Sequence, residues 1–450
     1  MRYFRMFGRW LLGVVFIFSG FVKAVDPLGS AYKFSDYFNA FGLGFLEATA
    51  LPLAIVLSSF ELVLGMALIL GYHKRVIYKV LFWFMLFFTL LTLVLAIFNP
   101  VSDCGCFGDA LILTNWETFL KNVALMVFVI PLYLHRKRAE PGMHGSSEWA
   151  VIAGFYLLSC GFSVWNNRHL PLLDFRPYDV GTVIAEEMTV PEGAPQDEYE
   201  TTLIYRNRET GEESEFTIED YPRDTTTWEF VASDSRLISK GYEPPIHDFA
   251  IMDEMGNDIV DILLADQGYS RLMIAHDLEK ADQQALRNAA IWSRLERVAS
   301  GYSFYAVTAT TSDLTESLAS SLGLEYQFHW ADEIMLKTVV RSNPGFVLIR
   351  DGAIAAKWGF RDFPALEDLK PQWPELIGNA MAPVDQEMEM LMEAGVYEDF
   401  SYDVIRFQEV IPDLLYEPAD RKREKGVVAG FGLSILILLF VGGWIERRSM

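Results

Sequence analysis

Among 450 residues there are only three cysteines, Cys104, Cys106 and Cys160. That is too few to staple a disulfide scaffold and too few for a four-ligand structural zinc site. The seven histidines are scattered without metal-ligand spacing, so no metal is expected. No phosphate loop, dinucleotide fingerprint or Ser/His/Asp grouping is present. Basic charge is also scarce: the formal balance is −23, which excludes a nucleic-acid binder. Yet 51% of the residues are apolar, so charge and hydropathy must be segregated. Residues 166–420 carry 19 Lys and Arg against 49 Asp and Glu, a balance of −30, and the rest of the chain is at +7. A membrane protein with one large acidic, water-facing domain accounts for both halves.

Six apolar runs approach the roughly 20 residues that a helix needs to cross a bilayer. They are Trp10–Ala24, Ala50–Tyr72, Val76–Phe98, Thr118–Leu134, Trp149–Trp165 and Val427–Trp444. The first, preceded by Arg2, Arg5 and Arg9, has the flavour of a signal peptide. No small-x-small cleavage site follows, so an uncleaved helix is expected. Basic clusters at residues 2–9, 73–79, 136–138 and 447–448 fall on one side if the spans alternate. The positive-inside rule then places both termini in the cytoplasm and residues 166–426 outside a cell (inner) membrane. The basic stretch Arg421–Lys425 is the one exception.

Within the outer part, Thr202–Tyr205 and Glu215–Ile218 flank a turn at Glu209-Thr-Gly211, predicting a small β-rich unit over residues 166–243. Pro244-Pro245 marks a boundary. Beyond it the rhythm becomes strand (Arg271–Ala275), helix (281–299), strand (Phe304–Thr308), helix (314–322, with Ser312 as N-cap) and helix (333–340). A hairpin across Arg350-Asp351-Gly352 and a terminal helix follow. Residues 244–380 thus predict an α/β layer fold. The run Ser342-Asn-Pro-Gly-Phe-Val-Leu-Ile-Arg-Asp-Gly352 resembles the membrane-tethered thioredoxin-like proteins of the TlpA type. That resemblance implies a cis-proline at Pro344 and a Cys-x-x-Cys after the first strand. This chain has His276-Asp-Leu-Glu-Lys280 there, so thiol exchange within that domain is excluded. Residues 381–426 read as a juxtamembrane segment, with Met388, Met390 and Met392 on a solvated helix face.

Cys104-Gly-Cys106 lies between the third and fourth spans, on the outer side by the charge rule. Two thiols one residue apart can close a strained, readily exchanged ring and pass electrons to a membrane quinone. The bland alternative is a tight loop with structural cysteines, and Asp103 and Asp109 oppose thiolate formation. Cys160, near the outer end of span five, is either a third thiol or a small packing residue. Glu61, in mid-span two, must face the bundle and find a partner, since a lone acid there costs about 2.5–3.5 kcal/mol. Lys23 is the nearest by depth, unless it snorkels. Proton handling and a purely structural role remain open for Glu61.

The segments Arg9-Trp-Leu-Leu-Gly13 and Phe18-Ser-Gly-Phe-Val-Lys-Ala-Val-Asp-Pro-Leu-Gly29, Glu61 with Gly65 and Gly71, and Asp103-Cys-Gly-Cys-Phe-Gly108 together resemble the DoxX/MauE family over about residues 1–140. The Cys-Gly-Cys-Phe-Gly loop is typical of the MauE branch, named for methylamine utilisation in bacteria. The resemblance implies support of disulfide formation in extracytoplasmic partners, with Cys104 and Cys106 exchanging and Glu61 and Lys23 supporting them. The expected architecture is an α-helical membrane bundle of five spans plus a C-terminal sixth (427–444), carrying an outward-facing thioredoxin-like domain. That domain would bind a protein client or redox partner. A membrane scaffold with no enzymatic role is the rival reading.

Overall fold

The computed structural model describes residues 2–101, 103–138, 145–239, 241–298 and 302–363. The expected terminal helix, the juxtamembrane segment 381–426 and the sixth span at 427–444 lie outside the described residues.

Five long helices carry the five N-terminal apolar runs: α1 (Arg2–Val25), α3 (Ala50–Leu70), α4 (Lys74–Phe98), α5 (Asn115–His135) and α6 (Gly145–Arg168). All five are long and apolar enough to cross a membrane. The sequence did not announce α2 (Pro27–Ala40) between the first two. It starts where Asp26 accepts a hydrogen bond from Gly29 N and a proline opens its first turn. A short 3₁₀ segment, Gly44–Thr49, leads from α2 into α3. The bundle core packs Leu12, Phe16, Leu64, Leu68, Leu81, Met85, Val129 and Leu132. Because the spans alternate, α2, the α4–α5 loop and the exit of α6 share one end of the bundle. The basic 73–75 turn and Arg136–Arg138 share the other.

Residues 183–249 form a separate compact unit. It holds the short helix α7 (Ile184–Glu187) and a meander of β1 (Glu198–Asn207), β2 (Glu213–Thr217) and β3 (Trp228–Ser239) in the order β2-β1-β3. The β1–β2 hairpin turns at Gly211, whose φ is +75° and whose N–H bonds Asn207 O. The third strand was not foreseen.

The remaining elements are α8 (Val260–Ala265), β4 (Tyr269–Ala275), α9 (Gln283–Val298), β5 (Tyr302–Thr308), α10 (Ser312–Leu322), β6 (Phe328–Trp330), α11 (Glu333–Val339), β7 (Gly345–Arg350) and β8 (Ala353–Gly359). The sheet order is β6-β5-β4-β7-β8, parallel from β4 to β6 and antiparallel from β4 through β7 to β8. This is the thioredoxin-like arrangement of two crossover strands joined to a hairpin. Asp351 and Gly352, at φ +49° and +70°, make the hairpin turn. Trp292 lies under the sheet with Phe346 and Trp358, and the guanidinium of Arg271 stacks 3.8 Å from the Trp292 ring. The N-cap of α10 is Thr311 rather than Ser312, which is the first helical residue; neither hydroxyl makes the cap bond to the backbone. The short β6 has three residues, too few to carry a readable alternation.

Candidate functional site

Glycines bring the first membrane pair together. A Cβ at Gly20 would lie 2.3 Å from Leu62 N, and one at Gly65 would lie 2.6 Å from Ile17 N. The α1 and α3 backbones therefore touch, in the manner of small-residue membrane crossings. Ser19 and Lys23, four residues apart on one face of α1, are pressed against Glu61 of α3. Lys23 Nζ is 2.5 Å from Glu61 Oε2, and both side chains are buried. Lys23 is thus a partner of Glu61, and no snorkelling cation.

Ser19, which sequence reading passed over, is the link to the loop. Its hydroxyl lies 2.8 Å from Glu61 Oε2 and 2.8 Å from the carbonyl oxygen of Cys106. One hydroxyl carries one proton, so it donates to one of these at a time. With Glu61 ionised it serves the carboxylate. With Glu61 protonated the acid donates to the serine, and the serine serves Cys106. Only a partner for Glu61 at the right depth could have flagged it, and many serines meet that test.

The loop of Cys104 and Cys106 is tied at both flanks. Asn115 Nδ2 bonds Asn99 Oδ1 and Val101 O at the α4–α5 junction. Asp103 accepts from Gly105 N at 3.0 Å and from Lys33 Nζ of α2 at 2.8 Å. Tyr37 donates to Cys104 O at 2.7 Å. Gly105, at φ +62°, makes the reversal that turns the two side chains toward each other. The sulfurs of Cys104 and Cys106, both thiols, are 3.0 Å apart. The hydrogen bond from the Cys104 thiol lowers the Cys106 pKa, against the opposing effect of burial and with help from the Lys121 and Lys23 cations. The same bond, with burial, raises that of Cys104. Asp103 and Asp109, expected to suppress a thiolate, are instead engaged by Lys33 and Arg341. Cys160 on α6 is half-buried and its described neighbour is Tyr156, one turn back.

The thioredoxin-like layer stands over the same end of the bundle. The Asn343–Pro344 peptide is cis, as the resemblance implied. His276, where the resemblance implied a cysteine, meets Tyr32 of α2 edge-on at 6.5 Å. Arg341 reaches down to Asp26 at 2.9 Å and Asp109 at 2.8 Å. The cis-proline side of the layer is therefore set against the chain's own membrane half. A second ionic group, Asp174 between Arg176 and Lys357, each at 2.7 Å, ties the segment after α6 to β8. Burial, with Arg176 nearby, pushes the Lys357 ammonium down to about 8 against the pull of Asp174. Between the two halves is a cavity of about 260 Å³, walled by Lys33, Gly105, Gly108, Asp26, Phe175 and Arg341.

Burial works against the charge of Asp26, yet Arg341 and Arg176 hold its carboxyl below the ordinary 3.8. A carboxylate depressed on folding contributes stability that is present above the unfolded value and lost as pH falls through the folded one. Asp26→Asn should therefore cost about 2 kcal/mol at neutral pH, because Asp109 still serves the guanidinium. The gap from wild type should shrink below about pH 4, read by unfolding in micelles across pH. A gap constant into acid would exclude the pairing.

A solution structure from Bacteroides thetaiotaomicron, described as a candidate protein disulfide isomerase, is similar over 29% of this chain and 86% of its own, at 15% identity and a TM-score of 0.23. No curated protein matches the chain. Residues 199–240 match a domain of unknown function, DUF8463. Residues 1–135 match the family model of the methylamine utilisation protein MauE, a span that takes in α1 to α5 and the loop of Cys104 and Cys106.

Proposed function

We propose that this chain is a membrane thiol–disulfide redox protein in which Cys104 and Cys106 are the exchanging pair. The observation that carries the reading is two sulfurs 3.0 Å apart, in a loop tied at both flanks and joined through Ser19 to a buried Lys23–Glu61 pair. In the oxidised state a client thiolate attacks the Cys104–Cys106 bond and a second client thiol closes the client's disulfide. Two reduced cysteines remain. Re-oxidation removes two electrons and two protons from them, and a membrane quinone, becoming quinol, takes both. Glu61 and Ser19 relay protons beside the loop. Three basic clusters on the opposite end, within residues 2–9, 73–79 and 136–138, support a cytoplasmic placement for that end. The loop and the acidic half then face the oxidising compartment, with residues 427–444 as a sixth span.

Thiol trapping in intact cells under graded reductant tests this directly. A pair that cycles between free and bonded forms supports it. A pair that never changes state leaves the scaffold reading. For Glu61→Gln, the expected result is an assembled protein with turnover reduced about 100-fold, the lower range for loss of a proton-transfer group. Unchanged turnover would leave Glu61 a structural role only.

A further inference from the structure

The thioredoxin-like layer contains no cysteine, so its contribution to a thiol protein must be made through something else. Its ion pairs with the membrane half run from Arg341, just after α11 and three residues before the cis-proline. The side chain is 7% exposed. Its Nε donates to Asp26 Oδ2 at 2.9 Å, its Nη2 to Asp109 Oδ2 at 2.8 Å, and its Nη1 to Lys337 O at 2.6 Å. Gly29 leaves room for the fork, since a Cβ there would lie 3.0 Å from Nη2. Asp109 sits in the 3₁₀ turn Gly108–Ala110, three residues after Cys106. The two flanks of the cysteine loop are thus held by different halves of the protein. Lys33 of α2 holds Asp103 before the pair, and Arg341 holds Asp109 after it.

We propose that Arg341 is a positioning residue for the thiol pair, the means by which the thioredoxin-like layer sets the shape of the membrane loop. A guanidinium suits the task because its planar donors hold two carboxylates in fixed directions, which an ammonium cannot do. Pinning both ends of a short loop keeps the sulfurs close and so raises the effective concentration of one thiol at the other. The layer then acts on its own chain, and its cysteine position is free to be His276.

The inference rests on the redox reading of Cys104 and Cys106, but its test does not need a client or a quinone. Full-length protein in micelles is equilibrated against dithiothreitol redox buffers, and the bonded fraction of the pair is read by alkylation and mass. Arg341→Ala and Asp109→Asn should each lower the equilibrium constant for closure about tenfold, and the double variant no further, because the two groups form one contact. Arg341→Lys should recover part of the loss. Arg350→Ala, an exposed side chain on β7, should match wild type. If Arg341→Ala fails to assemble, Asp109→Asn carries the comparison, because the Asp26 contact remains. Closure unchanged in Asp109→Asn, or losses that add in the double variant, would overturn the brace while leaving the redox reading intact. A wild-type pair that cannot be closed at all would overturn both.

Discussion

Cys106→Ser is expected to abolish thiol cycling, and to do so in a way that Cys104→Ser does not copy. The cations of Lys121 and Lys23 favour the thiolate on Cys106 as it leaves, a step in which Cys104, bonded to sulfur, has no proton to donate. In disulfide exchange the sulfur with the lower pKa is the better leaving group. An attacking client thiolate should therefore bond to Cys104 and expel Cys106. Without Cys106 the pair cannot hold a bond for a client to attack. The reverse step, attack of Cys104 on a disulfide already present in a client, stops at the mixed disulfide because no Cys106 thiolate expels the client. Cys106→Ser should therefore accumulate Cys104-linked species on non-reducing gels. Without Cys104 the pair is equally dead, but no such species should build up. Cys104→Ala, which unlike serine leaves no donor at this position, should slow alkylation of Cys106 at pH 7 about tenfold. Mixed disulfides appearing on Cys106 instead would reverse the assigned roles. Turnover in Cys106→Ser at the wild-type level would remove the pair from the chemistry altogether.

What could be read from the residues follows from how local each signal is. Apolar runs placed the five described spans because hydropathy acts over twenty residues at a time. The Asp351-Gly352 turn was legible because it needs positive φ at two neighbouring positions. Glu61 was legible as a residue needing a partner because the cost of a lone acid in lipid is large. Its serine was not, since Ser19 acquires meaning only when Gly20 lets Leu62 come within contact. The amphipathic α2 was hidden by its mixed composition between two stronger runs. Most of all, nothing local shows that Arg341 closes on Asp26 and Asp109, residues 315 and 232 positions away. The sequence led to a thioredoxin-like layer, and the structure adds that its cis-proline end is set against the bundle. Ion pairs of that separation are decided by the docking of whole layers, which no periodicity encodes.

Gly20→Val should be the most damaging single change in the bundle. The clash is with the backbone of Leu62, at 2.3 Å from even the first added carbon, so no rotamer can relieve it. The α1–α3 pair would have to separate, and with it the contact of Lys23 and Ser19 with Glu61. A carboxylate deprived of its ammonium in the membrane interior must either take up a proton or pull the helix out of register. Gly20→Ala already overpacks the crossing and should cost about 1–3 kcal/mol. Gly20→Val should leave too little folded protein to measure. The contrast is Gly161→Ala on α6, where an added Cβ meets nothing within 4 Å. That change should be neutral or slightly stabilising, since alanine is the better helix former. Thermal unfolding in micelles ranks the three. Because Ser19 lies beside Gly20, the surviving Gly20→Ala protein should also lose thiol cycling more steeply than its stability falls. A Gly20→Ala protein that matched wild type in both respects would mean that α1 and α3 do not meet at this glycine, and that the Lys23–Glu61 pair is held by something else.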